Sequence, residues 1–229
     1  MASVLVDGLR LPLRLAGDPA LDFCNTRAGW TQATPKEYLV SYRHLAGWAR
    51  WAGLVDGPTT RRALAAGGAD PAGAQAVTGR AIALRQALYG VLVVDGSGQV
   101  SARAASDAGA WALLGSQAGS AAAALALVPS GAGGAGGLAG WEPVPDCDPT
   151  LAPYLAVVRA VTALLTSPAS RSVRACPMPD CGWVFADPTG RRRWCSMSLC
   201  GNRAKARRHA ARTRPATGAT AGPGSLRPG

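Results

Sequence analysis

Apolar residues recur along this chain mainly at the three- and four-residue spacing of helix faces, and capping or turn residues stand in front of most of these runs. Leu9 to Leu15 is the exception: it alternates around Pro12, as a short edge strand or extended arm would. Asp18-Pro19 then reads as an N-cap followed by a first-turn proline, opening a helix through Leu21 to Thr26. Thr34-Pro35-Lys36-Glu37 has the form of a capping box and predicts a second helix from there to about Ala52. Tyr38, Tyr42, Leu45, Trp48 and Ala52 form its stripe, and Gly53 its left-handed end. Pro71 to Val94 repeats the pattern through Val77, Ala81, Leu84, Leu88 and Val91, ending at Asp95-Gly96-Ser97-Gly98. A shorter helix is predicted from Ser101 to Gln117.

Ala123 to Val128 and Leu138 to Trp141 are two apolar runs around a glycine-rich connection, compatible with a hairpin or a flexible excursion. Asp148-Pro149 opens another helix, with Leu151, Tyr154, Leu155, Val158, Val161 and Leu165 on one face and Pro168 as its stop. Beyond it the composition changes to Cys, Arg, Trp and turn residues, and from Thr213 onward too little apolar material remains to bury a core. The expected architecture is mainly α: a helical domain with a minor β hairpin over residues 1–168, a small α+β module over 170–213, and a disordered tail over 214–229.

Charge is distributed along the same boundary. The net charge is +11 over 229 residues, yet residues 1–170 are nearly neutral, and residues 171–214 carry eleven basic side chains against only Asp180 and Asp187. A bias toward Arg, Ala and Gly does not explain that clustering, and a polyanionic partner becomes a natural expectation. The most apolar stretch, Ala121 to Ala139, is mostly Ala and Gly broken by Pro129, so no membrane partner is expected. Met1 to Arg10 lacks a basic segment ahead of an apolar core and is interrupted by Asp7, which carries the expectation of a cytoplasmic protein.

Cys176, Cys181, Cys195 and Cys200 make a C-x4-C-x13-C-x4-C pattern. Two close pairs, each closed by a tight turn, supply the four soft ligands that a tetrahedral zinc ion needs. Four thiolates leave no open position for a substrate water, so the site is expected to hold one structural ion, and two disulfides are disfavoured in a reducing compartment. Gly182 follows the second cysteine, where a knuckle turn requires a residue without a side chain. Trp183 to Ala186 reads as a strand, Asp187-Pro188-Thr189-Gly190 as a turn, Arg191 to Cys195 as the returning strand, and Ser198 as the cap of a helix to about Ala211, a treble-clef-like order. With so few residues of its own, this module is expected to fold with its metal.

Cys195-Ser196-Met197 and Cys200-Gly201-Asn202-Arg203-Ala204-Lys205, after Gly190-Arg191-Arg192-Arg193-Trp194, resemble the CGNR zinc finger. Gly17-Asp18-Pro19-Ala20-Leu21-Asp22-Phe23-Cys24-Asn25-Thr26 resembles the opening of the ABATE-type domain that precedes this finger in a family of stress-induced bacterial transcription regulators. The resemblance implies a zinc-dependent DNA-binding role, with Gly201, Asn202 and Arg203 as family-motif residues.

At about 100° per residue, Ala204 and Ala211 fall on the same side of the last helix as Cys200 and are expected to be buried. Lys205, Arg208 and Arg212 form a stripe turned away from the metal and, with Arg191, Arg192 and Arg193, are the expected phosphate contacts. Arg203 and Arg207 flank the metal side, where they are expected to screen the thiolates or brace the module. Asn202 is either a base-reading amide or a helix-start hydrogen bonder. Trp183, Phe185 and Trp194 are expected to cover the metal site rather than stack on bases.

The first 168 residues say less. Asp22, Asn25 and Arg27 either line a pocket for a small-molecule effector or cap and pair locally. Cys24 and Cys147 are expected to be inert thiols and His44 structural, whereas Trp30, Trp48, Trp51, Trp111 and Trp141 belong to the core or to a docking surface for a partner or second copy. No glycine-rich phosphate loop, nucleophile elbow or catalytic carboxylate pair is present, so no enzyme is expected. Two readings follow: a transcription regulator whose helical part senses a ligand or dimerises while the finger contacts DNA, with RNA as another polymer to test, or a zinc-stabilised protein-interaction module fused to a small-molecule-binding domain.

Overall fold

A computed structural model describes residues 3–30, 32–92, 107–129 and 138–213. The expected tail over 214–229, residues 93–98 and the start of the helix expected from Ser101 lie outside them.

The chain opens with a hairpin, β1 (Ser3–Val6) against β2 (Leu9–Pro12), in which Val6 faces Leu9 across an Asp7-Gly8 turn. Both turn residues have positive φ, as a two-residue hairpin demands. The apolar alternation after Leu9 is therefore one arm of a ladder. Helix α1 (Pro19–Cys24) starts where its capping signal puts it, with the Asp18 carboxylate accepting from the Ala20 amide. Two short strands follow, β3 (Arg27–Ala28) and β4 (Lys36–Glu37).

That second strand corrects the capping-box reading of Thr34 to Glu37. The Glu37 carboxylate accepts the Tyr38 and Leu39 amides and the Arg85 guanidinium, and helix α2 (Tyr42–Trp51) begins only after Ser41. Helix α3 (Gly57–Ala69), capped by Asp56, has a weakly apolar face that the periodicity did not reveal. Helices α4 (Pro71–Leu92) and α5 (Ala108–Ala123) follow, and strands β5 (Leu125–Pro129) and β6 (Ala139–Pro143) pair antiparallel, so the apolar runs on either side of the glycine-rich connection form a hairpin.

Helix α6 (Ala152–Thr166), entered through a 3-10 turn at Pro149–Leu151, packs against α1, α2, α3, α4 and α5. Pro149–Thr166 is apolar and long enough to cross a membrane by length and composition, but Tyr154, Leu155, Val157, Val158, Val161 and Leu164 are buried in the shared core. The Phe23 and Trp48 rings meet in that core at 5.4 Å.

The C-terminal module is a hairpin, β7 (Val173–Ala175) with β8 (Val184–Ala186), followed by a π-helical turn at Met197–Gly201 and helix α7 (Asn202–Thr213). The hairpin thus encloses the first cysteine pair, and Arg191 to Cys195 is not its returning strand. Asp187 explains why: its Oδ1 accepts the amides of Arg191 (3.0 Å) and Arg192 (3.1 Å), so these donors are satisfied locally. Val173 and Val184 belong to the same apolar core as the helices.

Candidate metal centre and nucleic-acid interface

The knuckle of the hairpin brings Cys176 and Cys181 together, and a bend at Cys195 followed by the π-helical turn that carries Cys200 supplies the second pair. All four sulfurs lie within 4.8 Å of one another and are buried, with Cys181–Cys195 at 3.6 Å and Cys195–Cys200 at 3.5 Å. A tetrahedral zinc–thiolate centre needs sulfurs about 3.8 Å apart, and a fully buried four-sulfur set suits a structural ion. The donor set fits, and all four positions are filled by this chain.

Two glycines allow the surroundings to close. Gly182 has a φ of +65°, and a Cβ there would lie 3.0 Å from the Trp30 Cβ and 3.1 Å from the Tyr89 hydroxyl. Gly201 packs against Met197 and Trp194, and a Cβ would run into the Met197 sulfur. Trp183 and Phe185 are buried in the small cluster around the cysteines, as expected of a covering layer.

Charge is balanced asymmetrically around the sulfurs. Arg203 donates to Cys200 Sγ at 3.1 Å and pairs with Asp180, to which Arg207 also approaches at 3.8 Å. These two cations face the metal side. Asn202 donates to the Ser198 carbonyl at 3.3 Å, a helix-start bond. Ala204 is buried as the helical arithmetic requires, but Ala211 is exposed because α7 projects beyond the module it packs on.

Of the expected phosphate contacts, Arg191, Arg193, Lys205, Arg208 and Arg212 are exposed. Arg191, Arg193 and Arg208 converge with Trp194 on one open groove of about 600 Å³, and Lys205 and Arg212 sit one turn before and after Arg208. Arg192 is different. Its guanidinium donates to the carbonyls of Leu15 (2.6 Å), Trp194 (3.2 Å) and Cys195, and lies 4.5 Å from the Phe185 ring centre. Its Nε and Nη2 donors thus clamp the backbone beside the metal site, although the side chain lines the same groove.

Asp22 lines a cleft with Arg14, Asp18 and Trp51, whereas Asn25 and Arg27 are engaged nearer the finger. Asp22 accepts the amides of Leu15 and Ala16, both at 2.9 Å, while burial pushes its carboxyl above the ordinary range against the pull of those amides and Arg14. Asn25 is wholly buried and reads the Val184 backbone twice, donating to its carbonyl and accepting from its amide at 2.9 Å each. Arg27 covers the Trp30 ring at 4.9 Å, and its carbonyl accepts the Trp183 indole N–H. These residues form the seam between the helices and the finger.

The seam contains residues that motif reading missed. Arg85, without solvent exposure, donates to Thr26 and to both oxygens of Glu37. Tyr89 stacks on Trp30 at 3.6 Å and donates to the Gly182 carbonyl, and burial raises its phenol so that it remains a donor. The Gly29 amide donates to the Cys181 carbonyl. A signal for Arg85 existed: it lies four residues after Ala81 and three before Leu88, inside the apolar stripe of α4. Cys24, whose thiol burial pushes well up, is inert core, and His44 Nδ1 sits 2.8 Å from the Ser41 hydroxyl.

Residues 17–168 match the family model ABATE, described as "Putative stress-induced transcription regulator". The chain belongs to the ABATE family. Residues 172–213 match the CGNR zinc finger, so the ABATE domain is followed by a finger with one structural zinc. No curated protein matches the chain. The ABATE match begins at Gly17, beside the Asp22-to-Asn25 segment that grips the finger.

Proposed function

We propose that this ABATE protein is a cytoplasmic, zinc-dependent DNA-binding transcription regulator: residues 1–168 sense a small molecule or pair with a second copy, and residues 170–213 contact DNA. The observation that carries this reading is the groove where Arg191, Arg193 and Arg208 present guanidinium groups beside the zinc-held turn. Zinc supplies rigidity here and takes no part in chemistry, through Cys176, Cys181, Cys195 and Cys200. Lys205 and Arg212 extend the cationic surface along α7. Arg203 and Arg207 are held at Asp180 and make no such contact in this reading, nor does Arg192.

The test is a salt titration of the full, zinc-loaded chain against labelled duplex DNA of mixed sequence and single-stranded RNA. DNA affinity is expected to fall steeply with salt, each lost phosphate contact removing about 0.9 from the log–log slope. Replacing Arg191, Arg193 and Arg208 together by Ala should lower the slope by nearly three such increments at unchanged zinc content. An unchanged slope removes the groove from the interface, and no binding to either polymer at low salt favours the protein-interaction module instead.

A further inference from the structure

A cleft of about 490 Å³ lies between the start of α3, the outer face of α6 and the β5–β6 hairpin, on the helical part of the molecule. Its volume is within the roughly 300–1,000 Å³ range of small-molecule sites. The register of the hairpin puts Leu127 opposite Trp141 and Leu125 opposite Pro143, so these four share one face, of which Leu125, Trp141 and Pro143 line the cleft. Trp141 is 49% exposed and Leu127 61%, an apolar wall that nothing in the chain fully covers among the described residues. Ala152 and Ala156 of α6 leave room beneath it, and Arg159 follows on the same face, one turn further.

Two arginines line the cleft: Arg62 is exposed, donates to the Thr59 hydroxyl at 3.2 Å and offsets the charge of Asp56, which leaves Arg159 as the decisive group. Every other buried or half-buried arginine among the described residues has a partner: Arg85 pairs with Glu37, Arg174 with Asp187, Arg203 with Asp180, Arg192 with three carbonyls and Arg27 with the Trp30 ring. Arg159 is half-buried and, among the described residues, has neither a hydrogen bond nor an ion pair. A guanidinium partly removed from water without a counter-charge is costly unless an anion completes it. Of the acidic groups at the cleft, Asp56 is engaged in capping α3 through the Thr59 amide at 2.7 Å. Glu142 is exposed at the rim, where water and salt screen its repulsion of an anion.

We propose that this cleft binds a small amphiphilic carboxylic acid, its apolar body against Trp141, Leu125 and Ala156 and its carboxylate on Arg159. The inference rests on the sensing role proposed for the helical part, and it is tested in the absence of nucleic acid, so that its failure leaves the DNA reading untouched.

Calorimetric titration of the full, zinc-loaded chain with 4-phenylbutyrate and with its uncharged counterpart 4-phenylbutan-1-ol provides the test. The acid is expected to bind at least tenfold more tightly than the alcohol. Arg159→Gln is expected to abolish that preference and leave alcohol binding unchanged. Arg171→Gln, which removes the same charge from an exposed position that does not line the cleft, is expected to retain it. Near-ultraviolet circular dichroism verifies that both variants are folded. Equal affinity for the two probes, binding of neither, a preference that survives Arg159→Gln, or its equal loss in Arg171→Gln each overturns the proposal.

Discussion

Asn25 shows how much a single side chain carries at the seam. Its amide satisfies both backbone groups of Val184 in a dry environment, so Asn25→Ala leaves a buried donor and acceptor unpaired. The expected cost is about 2–4 kcal/mol, read as a lower urea midpoint at unchanged zinc content. Asn25→Asp should cost a similar amount, since a carboxylate cannot donate to the Val184 carbonyl. Glu37 makes a pH-dependent contribution. Burial raises its carboxyl, but the Arg85 guanidinium and the Tyr38 and Leu39 amides outweigh that and hold it below its ordinary value. Because the folded pKa is depressed, the stabilisation is fully present above the ordinary carboxyl pKa of about 4.3 and disappears as the pH falls through the folded value. Thermal melts of Glu37→Gln should therefore lie below the parent at neutral pH and converge with it in acid; a constant offset at all pH values contradicts the ion pair as the source.

At the scale of elements, legibility followed how local the determinant is. The Asp18-Pro19 start, the stripe of α4 and the helix α6 are legible because their determinants are adjacent in sequence. The four cysteines were readable for the same reason: metal-ligand spacing is a short-range pattern, and their sulfurs converge. Glu37 was misread because a residue 48 positions away, Arg85, draws it out of a capping box, and the partner of β8 was misread because β7 precedes the first cysteine. Asn25 was recognised as polar and notable, but its partner Val184 lies 159 residues on, beyond any periodicity. The π-helical turn offers an element-scale test: Gly201→Ala drives a methyl group into Met197 and against Trp194. It is expected to weaken zinc retention in competition with a chelating dye, and Met197→Ala in the same chain should restore part of the loss by making room.

For the whole molecule, the finger is tied to the helices through its strands: Val173 and Val184 pack in the helical core while the cysteines sit in a second, smaller cluster, and α6 leads through Pro168–Ser172 into β7. Zinc removal should consequently lower the melting temperature of the entire chain, and hydrogen exchange should accelerate in α1 as well as around the cysteines. Protection of α1 that is unaffected by a chelator would mean that the seam is energetically idle.

The seam also orders events in time. Leu15, Ala16, Asn25, Arg27 and Gly29 leave the ribosome long before the segment from Cys181 to Arg192 that engages them. The nascent helical bundle therefore waits with an unsealed flank until the late-made clasp arrives and captures its ion, and metal shortage during synthesis would strand the protein at that stage with its earliest residues exposed to proteases.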